Sequence, residues 1–197
     1  ASAARPPLLG PMAVRRVVVT SLTGDSLELA LAPEGTVSDL KRAVAATSWG
    51  VPEPCQHLLG SGACEPARYT EPAEGGHYTL VVSLEAVARD LEAGGLEQRL
   101  EALDNLTSLG PRGGEAALAA VLARIEDDPS FEVRAGAAEA LSRLAATGDR
   151  RPVVAALATR LAHGDSGARE AFVAALSRVA EVGDEAAIAL AVERLGD

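Results

Sequence analysis

The sequence predicts two domains in tandem, an α+β domain over residues 14–84 and an all-α run of helical hairpins over residues 85–197. Three observations carry that reading. The first stretch alternates apolar and polar side chains at period two, as half-buried strands do. The second changes to Leu, Val and Ala at three- and four-residue spacing. Within this second stretch one pattern returns every 35 residues.

In the first domain, Arg16–Leu22 and Ser26–Ala32 read as a hairpin around Thr23-Gly24-Asp25. Thr36-Val37-Ser38-Asp39 has the form of a capping box, in which hydroxyl and carboxylate exchange bonds with each other's backbone N–H. The next helix presents Val37, Leu40 and Val44 as a buried stripe. Val51-Pro52-Glu53-Pro54 ends the connection, Gln56–Leu59 forms a third strand and Tyr78–Leu84 a final one. Two strands, a helix and further strands is the order of a β-grasp.

In the second domain, Glu85–Ala93 reads as a lone helix that caps the stack of hairpins. No Gly/Ser linker precedes it, so a fixed orientation between the domains is expected. Arg99, Arg134 and Arg169 mark the repeat, with Leu106, Leu141 and Leu176 after them, then Leu109, Leu144 and Val179. Gly113, Gly148 and Gly183 come next, and each is predicted to end a first helix in a left-handed conformation. Asp149 and Asp184 are placed to cap the second helices, and Pro152 suits a first turn. One such hairpin cannot bury its apolar face alone, and stacking about three hides it.

The motifs resemble two known families. "VVVTSLTGDSLELALAPEGTVSDLKRAV", "GVPEPCQHLLGSG" and "HYTLVVSL" resemble ubiquitin and ubiquitin-like domains along nearly the whole first module. The departures imply a built-in module rather than a conjugated one. The strand that would lead to a free Gly-Gly tail instead continues through Ser83-Leu84-Glu85 into the helices. Gly75-Gly76 and Gly94-Gly95 lie elsewhere, and Lys41 is the one lysine. Matched residue by residue, the apolar recognition patch of the family becomes Leu22, Leu59 and Ser83, with the third member polar. Proteasome docking is implied by the resemblance and weakened by Ser83.

Residues 96–197 resemble HEAT repeats, especially the short alanine-rich kind of phycobilisome-lyase-like proteins. Val133-Arg134, Ala138-Glu139-Ala140-Leu141 and Gly148-Asp149 carry the match, and Gly110-Pro111-Arg112-Gly113-Gly114 departs from it. The expected fold is thus a ubiquitin-like β-grasp followed by a short α-solenoid. The resemblance puts an inner face on the helices after Gly113, Gly148 and Gly183, with Arg124, Arg160 and Arg194 as protein-binding candidates.

Composition narrows the partners. The net charge is −10, of which residues 85–197 hold −8 (12 basic, 20 acidic), and aromatic residues make up 3%. Such a chain repels phosphate backbones and has no stacking platform, so no nucleic acid is expected. No apolar run reaches the roughly 20 residues of a membrane span. Arg15, Arg16, Lys41 and Arg42 form a local basic cluster, and Glu126-Asp127-Asp128 reads as a solvated acidic loop that could meet a basic partner. Trp49, Phe131 and Phe172 read as packing aromatics.

Catalytic patterns are scarce. Iron-binding HEAT enzymes use His-Glu pairs, whereas the helical half has the single His163, with Gly164 after it. Cys55, His57, Cys64 and His77 fit no closed zinc module and read as core and strand residues. No nucleophile context, Walker loop or dinucleotide glycine pattern occurs. No enzyme and no cofactor are expected, with a bilin-lyase-like activity as the least favoured alternative. Two cysteines in 197 residues make no disulfide framework, so a reducing compartment is the default. The Ala1 start and the tail "ASAARPPLLGPMA" are what organellar processing leaves, and equally what a trimmed chain leaves. The expected function is a protein–protein interaction adaptor. The alternative is an accessory subunit of a large, organellar assembly.

Overall fold

A computed structural model describes residues 14–63, 65–73, 76–147, 151, 153–157 and 166–179. The chain divides into two compact units, one through Val81 and one from Val82 onward.

The first unit is built from β1 (Arg15–Ser21), β2 (Ser26–Leu31), α1 (Val37–Ala45), β3 (Gln56–Gly60) and β4 (Gly76–Val82). The strands form one sheet in the order β2-β1-β4-β3. β1 runs antiparallel to β2, setting Val17 opposite Leu29 and Val19 opposite Leu27. It runs parallel to β4, setting Val17 beside Gly76 and Val19 beside Tyr78. A hairpin cannot join parallel neighbours. The chain makes that crossing through α1 and β3. Val17 and Val19 are buried with Val18 half-exposed between them, the alternation a one-sided sheet requires. They pack in one core with Leu31, Leu58 and Leu80. The predicted last strand stops at Val82, because Ser83 and Leu84 lead into the next helix.

Every N–H of the first turn of α1 has a partner. Thr36 N–H donates to Asp39 Oδ2 at 2.9 Å and Asp39 N–H to Thr36 Oγ1 at 3.3 Å, the predicted capping box. Val37 N–H donates to the Glu71 carbonyl at 2.9 Å and Ser38 N–H to that of Tyr69 at 3.1 Å. The loop before β4 therefore closes the helix end that would otherwise need water. The Thr36 bonds, backbone before hydroxyl, hold the Asp39 carboxyl below its ordinary pKa against a smaller desolvation effect, and Arg42 adds to the lowering. The predicted stripe Val37, Leu40 and Val44 is buried.

That stripe has a fourth member. Lys41 is only 4% exposed, with its ammonium 3.9 Å from the centre of the Tyr69 ring. Burial pushes its pKa below the usual lysine value, partly offset by Glu53. Of the predicted basic cluster, Lys41 is therefore withdrawn into the core, while Arg16 and Arg42 are exposed. Arg15 donates to the Ala73 carbonyl, and Arg42 pairs with Asp39 at 3.1 Å and approaches Glu53 at 4.0 Å. Gln56, also buried, donates to the carbonyls of Lys41 at 2.9 Å and Val51 at 2.7 Å.

The second unit contains α2 (Glu85–Ala93), α3 (Leu96–Leu109), α4 (Gly114–Asp127), α5 (Phe131–Thr147), helical residues 151 and 153–157, and α6 (Ser166–Val179). α2 packs on α3, and α5 packs on α3, α4 and α6. Leu106, Leu141 and Leu176, one period apart, are all buried. Beside them Thr107, Ser142 and Ser177 each donate a hydroxyl to a carbonyl of the preceding turn. The 35-residue spacing thus keeps its buried face through three helices.

The first internal turn departs from the expectation. Gly113 has φ −70°, a right-handed value. The positive values belong to Gly110 (φ 54°) and Gly114 (φ 57°), which bracket a single 3-10 turn, Gly110–Gly113, begun by Pro111. Gly113 is needed for space instead, since a Cβ there would lie 2.5 Å from that of Ala117. Gly148, Asp149, Pro152, Gly183 and Asp184 lie outside the described residues.

Candidate functional site

Leu22 sits at the tip of the β1–β2 turn and is 74% exposed. The turn itself holds it there. Gly24 N–H donates to the Ser21 carbonyl at 3.0 Å, and Ser21 N–H to that of Asp25 at 2.8 Å. The Ser21 and Thr23 hydroxyls lie 2.7 Å apart, and Thr23 donates on to Asp25 Oδ2 at 2.8 Å. With Gly24 at φ 93°, these bonds close the turn that carries Leu22. Leu59 lies half-buried on β3, with β4 between it and β1. Ser83 belongs to the second unit, where its Oγ accepts from Glu85 N–H at 3.3 Å at the start of α2. Of the three predicted patch residues, Leu22 and Leu59 therefore belong to the sheet unit and Ser83 does not.

On the helices, Arg124 donates to the Leu91 carbonyl at 3.2 Å and lies 4.0 Å from Asp128. This ties α4 to α2. Arg160 and Arg194 lie outside the described residues. The acidic run is not a solvated loop throughout. Glu126 and Asp127 finish α4, whereas Asp128 is 2% exposed. Its Oδ2 lies 3.1 Å from Arg99 Nε, without hydrogen-bond alignment, and its Oδ1 accepts from Ser130 N–H at 3.0 Å. Arg134 donates to the Asp128 carbonyl at 2.7 Å. A buried carboxylate needs such company, and Asp128 is the polar joint at which α3, α4 and α5 meet.

Of the three aromatics read as packing groups, Phe172 is fully buried and Trp49 half-buried, but Phe131 is 70% exposed. It is the first residue of α5, where no earlier turn exists to cover it, and the Arg134 guanidinium stands 6.0 Å from its ring centre. Cys55 is a buried free thiol that desolvation pushes up to about 11. Cys64 lies outside the described residues. Among the described residues no group of three His, Cys, Asp or Glu gathers to hold a metal, and no helix is long and apolar enough to cross a membrane.

A shallow cleft of about 170 Å³ runs between α3 and α5. Leu100, Leu103, Thr107, Gly136 and Ala140 form its apolar part. The Thr107 hydroxyl is spent on the Leu103 carbonyl at 2.8 Å. Asp104, Glu139 and Arg143 rim it. Sequence reasoning does not single out this cleft, although Glu97, Glu101 and Asp104 at four- and three-residue spacing do signal an acidic stripe on α3.

No protein-family model matches this chain. No curated protein matches it either. Among solved structures, the crystal structure of the UBL domain of Plasmodium falciparum Dsk2 is similar over 36% of this chain and 100% of that one, at 26% identity and a TM-score of 0.31. The strand order β2-β1-β4-β3, with β1 and β4 parallel and α1 placed between β2 and β3, stands on the chain's own geometry. The sheet unit has the strand order of a β-grasp. A helical region comes after it.

Proposed function

We propose that the chain is a non-catalytic protein–protein interaction adaptor, with a built-in ubiquitin-like module and a HEAT-like helical surface as two docking elements. The exposed Leu22 is the observation that supports this most directly. A leucine held out at 74% exposure, on the same sheet as half-buried Leu59, is apolar surface that a docking patch would use, since contiguous exposed apolar patches mark interaction sites. The helical unit supports the reading through its period, which repeats the same buried face and the same cross-helix pairs. Its first helices α3 and α5 carry the cleft.

The test places a photo-activatable cross-linking residue at position 22 of the full chain, with a control at exposed Glu28 on β2. Defined protein adducts from position 22 and not from 28, lost on Leu59→Arg, are expected. Adducts equally frequent from both positions, or from neither, overturn the reading.

A further inference from the structure

We propose that α6 pairs with the α6 of a second copy of this chain about a two-fold axis, through the face that carries Val173, Ala174 and Ser177. The inference goes beyond the adaptor reading and stands without it.

The repeat itself shows that this face is open. Leu103 on α3 and Ala138 on α5 are buried, whereas Val173, at the same place in the period, is 47% exposed. Thr107 is buried, Ser142 half-buried and Ser177 exposed in the same order. On α3 this face meets α5, where Leu103 lies beside Gly136. On α5 it meets α6, where Glu139 holds Arg178. On α6 the corresponding residues face solvent. The α3 end of the stack is different, since α2 packs there and buries Val87 and Leu91. A stacked array needs a cap or a polar outer face at each end. The α6 face has neither: Val173 and Ala174 are apolar, and the Ser177 hydroxyl is spent on the Ala174 carbonyl at 2.8 Å.

A missing acid selects the occupant. Asp104 holds Arg143 of the next repeat at 2.8 Å, and Glu139 holds Arg178 of the one after at 3.1 Å. The next place in that series is Ala174. A further repeat of the same kind would set its arginine against an alanine, so the face does not suit one. Small and uncharged, it suits a copy of itself, because a two-fold axis brings the same patch to both sides. Charge allows this. Residues 85–197 hold −8, yet α6 carries two arginines against one glutamate, so two such chains repel each other little there. A head-to-tail arrangement would need the α3 end free, and α2 covers it, so the pairing closes at two.

The experiment is sedimentation velocity on the full chain. A single helix pair falls below the roughly 1,200 Å² of a standard interface, so a dimer forming over about 1–200 µM is expected. Val173→Arg puts like charges beside the axis and is expected to raise the dimer dissociation constant about tenfold or more. Ala174→Glu restores the acid of the series and is expected to act in the same direction. Both positions are exposed, and thermal melts confirm that the variants fold. Val173→Cys is expected to form a disulfide between copies at position 173, mapped by peptide mass spectrometry, whereas Glu28→Cys on β2 is not. A monomer through the whole range leaves the face to a further repeat or another protein and overturns the pairing. A dimer unmoved by both substitutions, or a mass that grows past two chains, overturns it as well.

Discussion

Arg143 on α5 meets Asp104 on α3 at 2.8 Å, and one period later Arg178 on α6 meets Glu139 on α5 at 3.1 Å. Donor and acceptor both advance by 35 residues, so the repeat written in the sequence is also a repeat of contacts. All four side chains are half or more exposed, so each pair contributes little. Asp104→Asn is expected to cost about 0.2–1 kcal/mol. A double-mutant cycle with Arg143→Met in urea unfolding checks it, and a coupling well above that range would mean the pair is shielded from water.

Asp128 presents the opposite case. Its side chain is 1% exposed against Arg99, and Arg99 itself is mostly covered. Removing the carboxylate leaves a half-buried guanidinium without its counter-charge and the Ser130 N–H without its acceptor. Asp128→Ala is expected to cost about 3 kcal/mol, at the lower end for a broken buried pair because Arg99 keeps some solvent and its bond to the Gly94 carbonyl. Arg99→Met tests the same joint from the other side. The two chemical-denaturation midpoints should fall well below that of Asp104→Asn.

The α1 cap gives a pH dependence with a definite sign. The folded-state pKa of Asp39 is depressed below 3.8, so its contribution is present above the unfolded value and is lost as pH falls through the lower folded one. Wild-type melting temperature should drop in that acid range. Asp39→Asn should be less stable at neutral pH and flatter through the acid limb. Thr36→Val, which deletes the capping hydroxyl, is expected to cost about 1 kcal/mol at neutral pH. Parallel acid limbs for wild type and Asp39→Asn would count against the cap as the source.

Much of this architecture is legible in residue order because its cause is local. The alternation of β1, the capping box at Thr36 and the stripe Val37, Leu40 and Val44 each depend on neighbours within one turn or one strand. Lys41 is legible in position but not in chemistry. It falls four residues after Val37, on the buried face, but its ammonium meets the Tyr69 ring, brought by a distant loop, and the nearby charge of Glu53. Asp128 escapes sequence reading for the same reason, since Arg99 lies on another helix. Gly113 occupies a place where the commonest glycine role is to end a helix. The real constraint, the Ala117 methyl above it, needs the packed helix to be seen. The close approach of Leu100 depends on the absence of a side chain at Gly136, and no periodicity marks such a contact.

The sheet unit separates binding from folding at two leucines. Leu22 is held out by backbone and hydroxyl bonds that do not involve its side chain. Leu22→Ala should therefore leave stability within about 0.5 kcal/mol. Leu59 is half-buried on β3, so Leu59→Ala removes apolar area from water-shielded packing and should cost about 1–2 kcal/mol. If both serve a docking surface, the two variants lose partner binding by similar factors although their melting temperatures differ. If stability alone governs binding, Leu22→Ala binds as wild type and Leu59→Ala falls in proportion to its unfolded fraction. Titrating each variant well below its melting temperature distinguishes the two outcomes, because there both chains are folded and a remaining difference belongs to the surface.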